Sequence, residues 1–168
     1  MPDRLTLVLG GARSGKSRHA EQLVTTLLPP WFYVATAQPL DEEMRARIAA
    51  HRARRVEGWI TLEAPLDLAG AVRAAARGPV LVDCLTLWVT NLLLNAFDVA
   101  EATAALDRAL DARAAPAILV ANEVGLGIVP DNALARAFRD AAGQLNQHFA
   151  ARADRVEFLV AGLPMRVK

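Results

Sequence analysis

Short apolar runs alternate with longer stretches of mixed polarity along this chain of 168 residues. A run of a few apolar residues is typical of a buried strand, and apolar positions three or four apart are typical of a helix. Such alternation favours an α/β fold with a mostly parallel sheet flanked by helices. The pattern predicts strands at residues 5–9, 31–35, 59–62, 80–82, 117–121 and 156–161, and helices at residues 17–28, 41–55, 66–77, 85–95, 100–114 and 134–152.

The end of the chain departs from this alternation. Pro164 follows the last predicted strand, which suggests a final hairpin with Val167 near an antiparallel edge of the sheet. Hydrophobic residues make up 54% of the chain, enough to bury a core on both sides of a sheet. Because the sequence contains no internal repeat, low-complexity tract or linker, residues 1–168 are expected to form a single domain.

Charge and composition narrow the possible partners. The 19 basic and 18 acidic residues give a net charge of +1, which creates no overall field for nucleic acid or an anionic membrane. No apolar run reaches the ~18 residues of a membrane span, and no secretory leader precedes the first strand. The single cysteine, Cys84, cannot form an internal disulfide and is expected to be a small core residue. We expect a cytoplasmic protein that neither binds nucleic acid nor inserts stably into a membrane.

A phosphate-binding loop directly follows the first apolar run. Backbone amides of such a loop, together with the N-terminus of the helix that follows, bind phosphate oxygens. Lys16 is expected to reach the β- and γ-phosphates, and the Ser17 hydroxyl to hold Mg²⁺. The chain is therefore predicted to be a P-loop protein that handles a nucleoside triphosphate. The G-x-x-x-x-G-K-[ST] pattern is made by Gly10, Gly11, Ala12, Arg13, Ser14, Gly15, Lys16 and Ser17.

A second nucleotide element is the carboxylate that follows the predicted strand at residues 80–82. Asp83 lies where P-loop proteins usually place the acid that orients Mg²⁺ through water. An aspartate at this position can also simply cap the next helix. The sequence has neither the guanine-reading Asn/Thr-Lys-x-Asp loop of GTPases nor the late arginine-rich lid of many nucleotide kinases. A standard GTPase or nucleotide kinase is therefore disfavoured.

The predicted helix at residues 41–55 is strongly charged, with acidic residues first and basic residues last, an order that complements the helix dipole. Met44, Ile48, His51 and Arg55 share one face, so His51 ends an apolar stripe among several arginines. In one interpretation His51 is a half-buried histidine at a helix C-terminus. In the other it is a nucleophile beside an anion-binding patch and can hold a covalent phosphoryl intermediate. The spacing leaves both interpretations open.

Other segments have structural interpretations. His19 and His148 are expected to be structural or to face solvent. The apolar run at residues 85–94 fits either a helix buried within one subunit or an oligomer contact. Glycines in the loop at residues 122–130, Gly125 and Gly127, are expected to permit positive φ. The next helix would be capped by residue 131 or 132.

Several segments beyond the phosphate loop resemble one enzyme family, the bifunctional adenosylcobinamide kinase/adenosylcobinamide-phosphate guanylyltransferases. The similarity runs from near the first residue to Lys168, and its last two segments are far more specific than the phosphate loop. The matching segments are residues 10–21, Tyr33-Val34-Ala35-Thr36-Ala37, Asp41-Glu42-Glu43-Met44 with Arg47-Ile48 and His51-Arg52, Asp83-Cys84-Leu85-Thr86-Leu87-Trp88-Val89-Thr90-Asn91-Leu92-Leu93, and Asn122-Glu123-Val124-Gly125-Leu126-Gly127-Ile128-Val129-Pro130.

The resemblance implies two reactions in the late stage of cobalamin synthesis. A nucleoside triphosphate, ATP or GTP, phosphorylates the aminopropanol hydroxyl of adenosylcobinamide. GTP then transfers GMP to that phosphate through a GMP–histidine intermediate, giving adenosylcobinamide-GDP and pyrophosphate. The histidine maps to His51, the only histidine in its helix. Lys16 and Mg²⁺ would stabilise the departing pyrophosphate.

The resemblance also implies a RecA-like P-loop fold, a homotrimer and further site residues. Ser17 and Asp83 would hold Mg²⁺. Glu63 by itself would be an ordinary carboxylate at a strand end, and its assignment to the nucleotide rests on the resemblance alone. The expected guanine nucleotide contacts outside the phosphate loop are Thr36, Ala37, Gln38, Arg52, Ala53, Arg54, Arg55, Glu63 and Asp83.

Two other functions compete with this interpretation. A P-loop kinase of a small alcohol would form no covalent nucleotide adduct, and His51 would then be structural. The arginine-flanked histidine helix argues against such a kinase, because a plain kinase does not need it. A non-enzymatic nucleotide-dependent switch would bind nucleotide without corrinoid-dependent turnover, but the sequence shows no separate effector region.

Overall fold

A computed structural model describes residues 3–168, except for the side chains of Arg47 and Arg54. Strands and helices alternate as the apolar pattern predicts, and a seventh strand closes the chain. In chain order the elements are β1 (Leu5–Gly10), α1 (Lys16–Thr25), β2 (Trp31–Ala35), α2 (Glu42–Arg54), β3 (Trp59–Glu63), α3 (Leu68–Ala74), β4 (Val80–Asp83), α4 (Leu85–Leu94), α5 (Val99–Asp111), β5 (Ala117–Asn122), α6 (Ala133–Arg152), β6 (Arg155–Val160) and β7 (Leu163–Arg166).

The strands form one sheet in the order β3-β2-β4-β5-β1-β6-β7. Every neighbouring pair is parallel except β6 and β7, which pair antiparallel from Val160↔Leu163 to Glu157↔Arg166. The predicted α/β fold and its antiparallel C-terminal edge are confirmed. Because β1, β4 and β5 are neighbours, their carboxyl ends meet at one edge of the sheet, where ligands of such folds bind.

Alternate strand residues pack against opposite layers of helices. On one face, Leu7 and Val82 belong to a large core shared with α3, α4, α5 and α6. On the other face, Val8 and Leu81 pack in a smaller core with Val24 of α1. The helix α2 belongs to neither core. Its side chains instead line a cleft at the sheet edge together with the start of α1.

Helix ends follow local caps, which explains where the predicted bounds are inexact. The predicted helix at residues 66–77 is confined to α3, because the Asp67 side chain accepts a hydrogen bond from Gly70 N and caps it. Asp98 caps α5 and moves its start to Val99. The apolar α4 is buried within the chain, including Trp88, so the buried alternative accounts for it. Within residues 3–168, no helix combines the length and apolar character needed to cross a bilayer.

The loop after β5 differs from expectation in its glycines. Gly125 and Gly127 do not adopt positive φ, so the expectation for them is wrong. Other interactions order this loop: Glu123 Oε1 accepts a hydrogen bond from Gly125 N at 2.6 Å. Asn132, one of the two expected caps, accepts from Ala135 N and begins α6.

A buried arginine, Arg113, lies before β5 and binds backbone carbonyls in and after α3. Arg113, 5% exposed, donates from Nη1 to the Val72 and Ala75 carbonyls at 2.7 and 3.1 Å and from Nη2 to the Gly78 carbonyl at 2.6 Å. Burial lowers its pKa to about 10, which leaves it charged at neutral pH. The side chain thus satisfies carbonyls around the C-terminus of α3, where positive charge is favourable.

Replacing Arg113 should destabilise the fold. Arg113→Met would leave three buried carbonyls without their charged donor, and we expect the free energy of unfolding to fall by about 3–5 kcal/mol. Urea unfolding measures this. Arg108→Met, which alters an exposed arginine of α5, is the control and should change the value by about 0.5 kcal/mol or less. Equal stability of the two variants would contradict the role given to Arg113.

Candidate active site

The phosphate-binding loop turns between β1 and α1 as its sequence predicts. Gly15 is the N-cap of α1, with φ 89° in the left-handed region. Ser14 N donates to the Gly11 carbonyl at 3.4 Å, and the turn of the β6–β7 hairpin contacts the loop through a hydrogen bond from Gly162 N to Ser14 O at 3.0 Å. A Cβ on Gly10 would lie 2.5 Å from Ser14 Oγ. Close packing therefore favours glycine at position 10, and the left-handed backbone conformation favours it at position 15.

Two glycines of the loop should respond differently to alanine. We expect Gly15→Ala to cost about 1–2 kcal/mol of unfolding free energy, because its φ is left-handed. Gly11 lacks positive φ and a Cβ there would meet no atom within 4 Å, so Gly11→Ala is the matched control. Urea unfolding of both variants without nucleotide measures the difference. Equal losses would show that backbone conformation is not what requires Gly15.

The loop forms one wall of a cleft of about 470 Å³ at the carboxyl edge of the sheet. This volume lies within the about 300–1,000 Å³ range of ligand pockets. Lys16 lines the cleft, is 8% exposed, and donates from Nζ to the Gly11 carbonyl at 2.9 Å. Ser17 lies beside it, in the first turn of α1. The cleft therefore combines a helix N-terminus, a cation and a hydroxyl, the groups that bind a polyphosphate.

Asp83 faces the cleft and does not cap a helix. The N-cap of α4 is Cys84, whose Sγ accepts from Leu87 N at 3.5 Å, so the capping interpretation of Asp83 is wrong. Asp83 Oδ2 instead accepts a hydrogen bond from Tyr33 Oη at 2.8 Å. Burial first, and then the Asp83 carboxylate, raises the pKa of Tyr33 far above its usual range, so the phenol keeps its proton and remains the donor.

Buried polar bonds fix the turn that presents Asp83. The Thr36 hydroxyl donates to the Cys84 carbonyl at 2.7 Å and accepts from Cys84 N at 2.8 Å. Asn91 Nδ2 donates to the carbonyls of Thr36 and Pro65, both at 2.9 Å. Burial and Asp83 raise the pKa of the Cys84 thiol to about 11, so it stays protonated at neutral pH. Thr36, Cys84 and Asn91 thus support the cleft wall, and Cys84 is the core residue that the sequence predicts.

The charged helix α2 forms the wall opposite the phosphate-binding loop. Asp41 caps it by accepting from Met44 N at 2.7 Å, and the predicted face of Met44, Ile48, His51 and Arg55 lines the cleft. His51 Nδ1 lies 4.0 Å from Asp83 Oδ2, and its side chain is 29% exposed. The histidine is thus half-buried near a helix C-terminus, and it also shares one cleft with the phosphate-binding loop.

Two arginines anchor the C-terminal part of α2 to the sheet. The Arg55 guanidinium stacks 3.8 Å from the centroid of the Tyr33 ring, a cation–π contact. Arg55 Nη1 also donates to Thr61 Oγ1 at 3.3 Å, and burial lowers its pKa. Arg52 pairs with Glu63 at the end of β3. This ion pair borders a second hollow of about 460 Å³, which shares Ala35, Ala37, Ile48 and Arg52 with the main cleft.

The structure brings part of the predicted site together. The predicted residues that line the main cleft are Ala12, Arg13, Lys16, Ser17, Ala37, His51, Arg52, Arg55 and Asp83. Glu63 instead lines the second hollow, Ala53 is exposed on α2, and Gln38 is half-buried beyond β2. The Arg54 side chain lies outside the described part. The nucleotide contacts of all these residues stay predictions.

The other two histidines are structural, as expected. His19 Nε2 contacts Glu157 Oε2 at 2.6 Å, joining α1 to β6. Burial raises the pKa of Glu157, but the hydrogen bonds from His19 and Arg155 outweigh it and hold that pKa below its usual value. His148 Nε2 lies 2.8 Å from Asp107 Oδ2 and joins α6 to α5.

The sequence analysis gave no site role to several residues that line the cleft, and Tyr33 is the one among them that bonds to a predicted site residue. Tyr33 belongs to a matching segment of the sequence, but it stands in an apolar strand and was given no role there. Tyr33 stands two residues before Ala35, and Ala35 pairs with Asp83 in the sheet. Because side chains two residues apart in a strand point to the same face, Tyr33 lies on the same face of the sheet as Asp83. This placement depends on the pairing of β2 with β4, which the sequence does not show.

The oxygen donors of the cleft fit Mg²⁺. Ser17 and Asp83 line the same cleft as the phosphate-binding loop. Within residues 3–168, no group of three or more His, Cys, Asp or Glu side chains is placed to hold a metal. Mg²⁺ needs no such group, because it is usually bound by one or two protein oxygens together with phosphates and water.

The fold and the cleft define a P-loop nucleotide-binding enzyme of the RecA-like type. The flagellar accessory protein FlaH from Methanocaldococcus jannaschii superposes with a TM-score of 0.56 at 13% identity, covering 98% of this chain and 78% of FlaH. A prototypical ATPase from the type III secretion system of pathogenic bacteria superposes with a TM-score of 0.55 at 10% identity, covering 97% of this chain and 56% of that ATPase. At such identities the similarity shows the fold alone.

The chain belongs to the cobinamide kinase / cobinamide phosphate guanyltransferase family, whose profile matches residues 6–167. It is 51% identical over 166 residues to the bifunctional adenosylcobalamin biosynthesis protein CobP of Pseudomonas aeruginosa, covering 96% of each chain. It is 45% identical to CobU of Salmonella typhimurium, which has the same description, covering 98% of this chain and 99% of CobU. The resemblance seen in the sequence is confirmed, and the protein is a bifunctional kinase and guanylyltransferase of cobalamin biosynthesis.

Proposed function

We propose that this chain phosphorylates adenosylcobinamide with ATP or GTP and then transfers GMP from GTP to the new phosphate through a covalent adduct on His51. One observation carries the proposal: His51 lies in the same cleft as Lys16 and the phosphate-binding loop. A histidine that only stabilised α2 would not need to line the same cleft as the phosphate-binding loop. The family membership supplies the substrates and both reaction types.

The phosphate-binding loop serves both reactions. Its amides and the N-terminus of α1 bind the β- and γ-phosphates, and Lys16 offsets the charge that develops on the leaving oxygens. Ser17 and Asp83 would hold Mg²⁺, which would supply further charge neutralisation when bound. Because Lys16 and Ser17 are adjacent at the start of α1, one rigid element positions both groups.

The arginines beside His51 serve GMP transfer. The Arg52 and Arg55 side chains line the cleft on the face of α2 that presents His51. They offset the negative charge of an attacking or departing phosphate, which a low-dielectric cleft would otherwise penalise. Ala37, Gln38, Ala53, Arg54 and Glu63 complete the nucleotide site in this proposal. Thr36 would contribute by holding Cys84, because its hydroxyl is already bonded there.

Labelling with GTP tests the proposal. Purified protein is incubated with Mg²⁺ and GTP labelled at the α-phosphate, and the denatured protein is digested and mapped. We expect acid-labile, alkali-stable label on the peptide that contains His51. GTP labelled at the γ-phosphate is the control and should leave no label, because that phosphate departs in pyrophosphate. Retained γ-label, or no α-label in protein that binds GTP, would contradict a GMP–histidine intermediate.

We also propose a cytoplasmic homotrimer. Support comes from the apolar side chains that the loop after β5 exposes beside the cleft: Leu126 is 84% and Ile128 is 98% exposed, and Val124 of the same loop lines the cleft. Sedimentation equilibrium should give three times the 18.1 kDa chain mass. A single-chain mass at micromolar concentration would contradict the trimer.

A further inference from the structure

Three side chains from separate elements lie in a row in the cleft. Tyr33 of β2 donates from Oη to Asp83 Oδ2 at 2.8 Å, and the same carboxylate oxygen lies 4.0 Å from His51 Nδ1 of α2. The row therefore ends on one particular ring nitrogen of the histidine. The other ring nitrogen, Nε2, is not the one that the carboxylate approaches.

The end of the row at the sheet is rigid. Tyr33 is 4% exposed, and its ring packs edge-on against Trp59 with centroids 6.0 Å apart. The Arg55 guanidinium covers the Tyr33 ring at 3.8 Å. Because β2 and β4 are paired with Ala35 opposite Asp83, the backbone fixes the separation of the phenol and the carboxylate. Asp83 Oδ2 is thus held in place by its hydrogen bond from Tyr33.

The geometry points to Tyr33 and Asp83 as positioning residues for His51, an assignment that rests on the proposed GMP transfer. In the reacting complex Asp83 Oδ2 accepts the Nδ1–H of His51, which leaves the lone pair on Nε2 to attack the nucleotide. The distance of 4.0 Å exceeds a hydrogen bond. Hydrogen bonds of this kind are often long without substrate and shorten in the reacting complex.

The tautomer determines where the covalent bond forms. The Nε2 lone pair attacks the α-phosphorus of GTP, the Nε2–P bond forms, and the bond to the bridging oxygen breaks with its electron pair leaving on pyrophosphate. The imidazole then carries a positive charge with its proton still on Nδ1, and Asp83 stabilises that charge. An oxygen of the adenosylcobinamide phosphate next attacks the same phosphorus. The electron pair of the broken Nε2–P bond returns to Nε2, which restores the neutral imidazole.

The position of the adduct on the ring tests the assignment. The labelled protein is digested under alkaline conditions, and the adduct is compared by NMR with Nε2- and Nδ1-substituted phosphohistidine standards. We expect the wild-type adduct on Nε2 alone. An adduct on Nδ1 of His51 would overturn the positioning role but leave the proposed GMP transfer intact. No adduct at all would instead contradict the proposed transfer.

Two substitutions test the row itself. Tyr33→Phe removes the hydroxyl but keeps the ring under Arg55, and we expect adduct formation at saturating GTP to slow about tenfold relative to the kinase reaction. Thr103→Val, which removes a hydroxyl bonded within α5, is the control and should leave that ratio unchanged. A Tyr33→Phe variant that keeps the wild-type ratio would overturn the assignment.

Asp83→Asn tests the tautomer. An asparagine amide can donate to Nδ1, which places the proton of His51 on Nε2 and removes its lone pair. We expect the Nε2 adduct to form about 10²–10⁴-fold more slowly, as when an orienting carboxylate becomes an amide in a catalytic triad. The kinase reaction, which does not use His51, should lose less. Equal loss of both reactions would show that Asp83 acts through the metal alone, and would overturn the orienting role.

Discussion

His51→Ala is expected to abolish GMP transfer while adenosylcobinamide phosphorylation continues. Without the imidazole no covalent adduct can form, and the loss of a nucleophile of this kind costs on the order of 10⁶-fold. In the proposed function phosphorylation uses the phosphate-binding loop and not His51, so it should change by less than about tenfold. The two rates are measured separately, with adenosylcobinamide for the kinase and with its phosphate plus GTP for the transferase.

The expected difference between the two rates can be interpreted only if His51→Ala keeps the fold. The His51 side chain is 29% exposed and belongs to neither hydrophobic core, so its removal should not unfold the protein. His148→Ala is the matched control, because His148 bonds to Asp107 away from the cleft and should leave both rates unchanged. If His51→Ala lowered both reactions equally, the histidine would be a structural part of the cleft and not its nucleophile.

Lys16→Ala is expected to damage both reactions together. Lys16 is buried at the start of α1, where its Nζ lies against the phosphate-binding loop. Removing a preorganised charge stabiliser costs about 10²–10³-fold in rate. Since the proposed function uses one loop for the triphosphate in both reactions, we expect both rates to fall by this factor. Steady-state rates of kinase and transferase in the same preparation measure it.

The chain offers a close control for this change. Lys168 is the only other lysine, and its Nζ donates to the carbonyls of Ala150 and Ala151 at the end of α6. Lys168→Ala should leave both activities near wild type. If Lys16→Ala impaired phosphorylation but not GMP transfer, the two reactions would use separate nucleotide sites, and the single-cleft proposal would be wrong.

The sequence predicted those parts of the site that are local in the chain. Residues 10–17 form one contiguous loop whose glycines, lysine and helix start act within a few residues of each other. The face of α2 that presents His51 followed from helical spacing alone, and the Asp41 cap was seen only in the structure. The expectation for Gly125 and Gly127 failed because glycine permits positive φ without requiring it.

Contacts between distant residues could not be predicted in this way. Tyr33 and Asp83 are 50 positions apart, and their bond depends on β2 lying beside β4 in the sheet. The role of Asp83 was ambiguous in the sequence, because an aspartate before a helix can cap it or face a ligand. The structure resolves this ambiguity, because Cys84 is the N-cap of α4 and the Asp83 carboxylate lies in the cleft.

By itself the sequence determined the alternating α/β architecture, the phosphate-binding loop and the nucleophile candidate, because apolar periodicity, caps and glycine turns act over a few neighbouring residues. Only the tertiary structure decided that α2 and the loop line one cleft, that Asp83 approaches Nδ1 of His51, and that Glu63 lines a second hollow beside that cleft. Those placements follow from strand order and helix packing, which join residues far apart in the chain into one cleft.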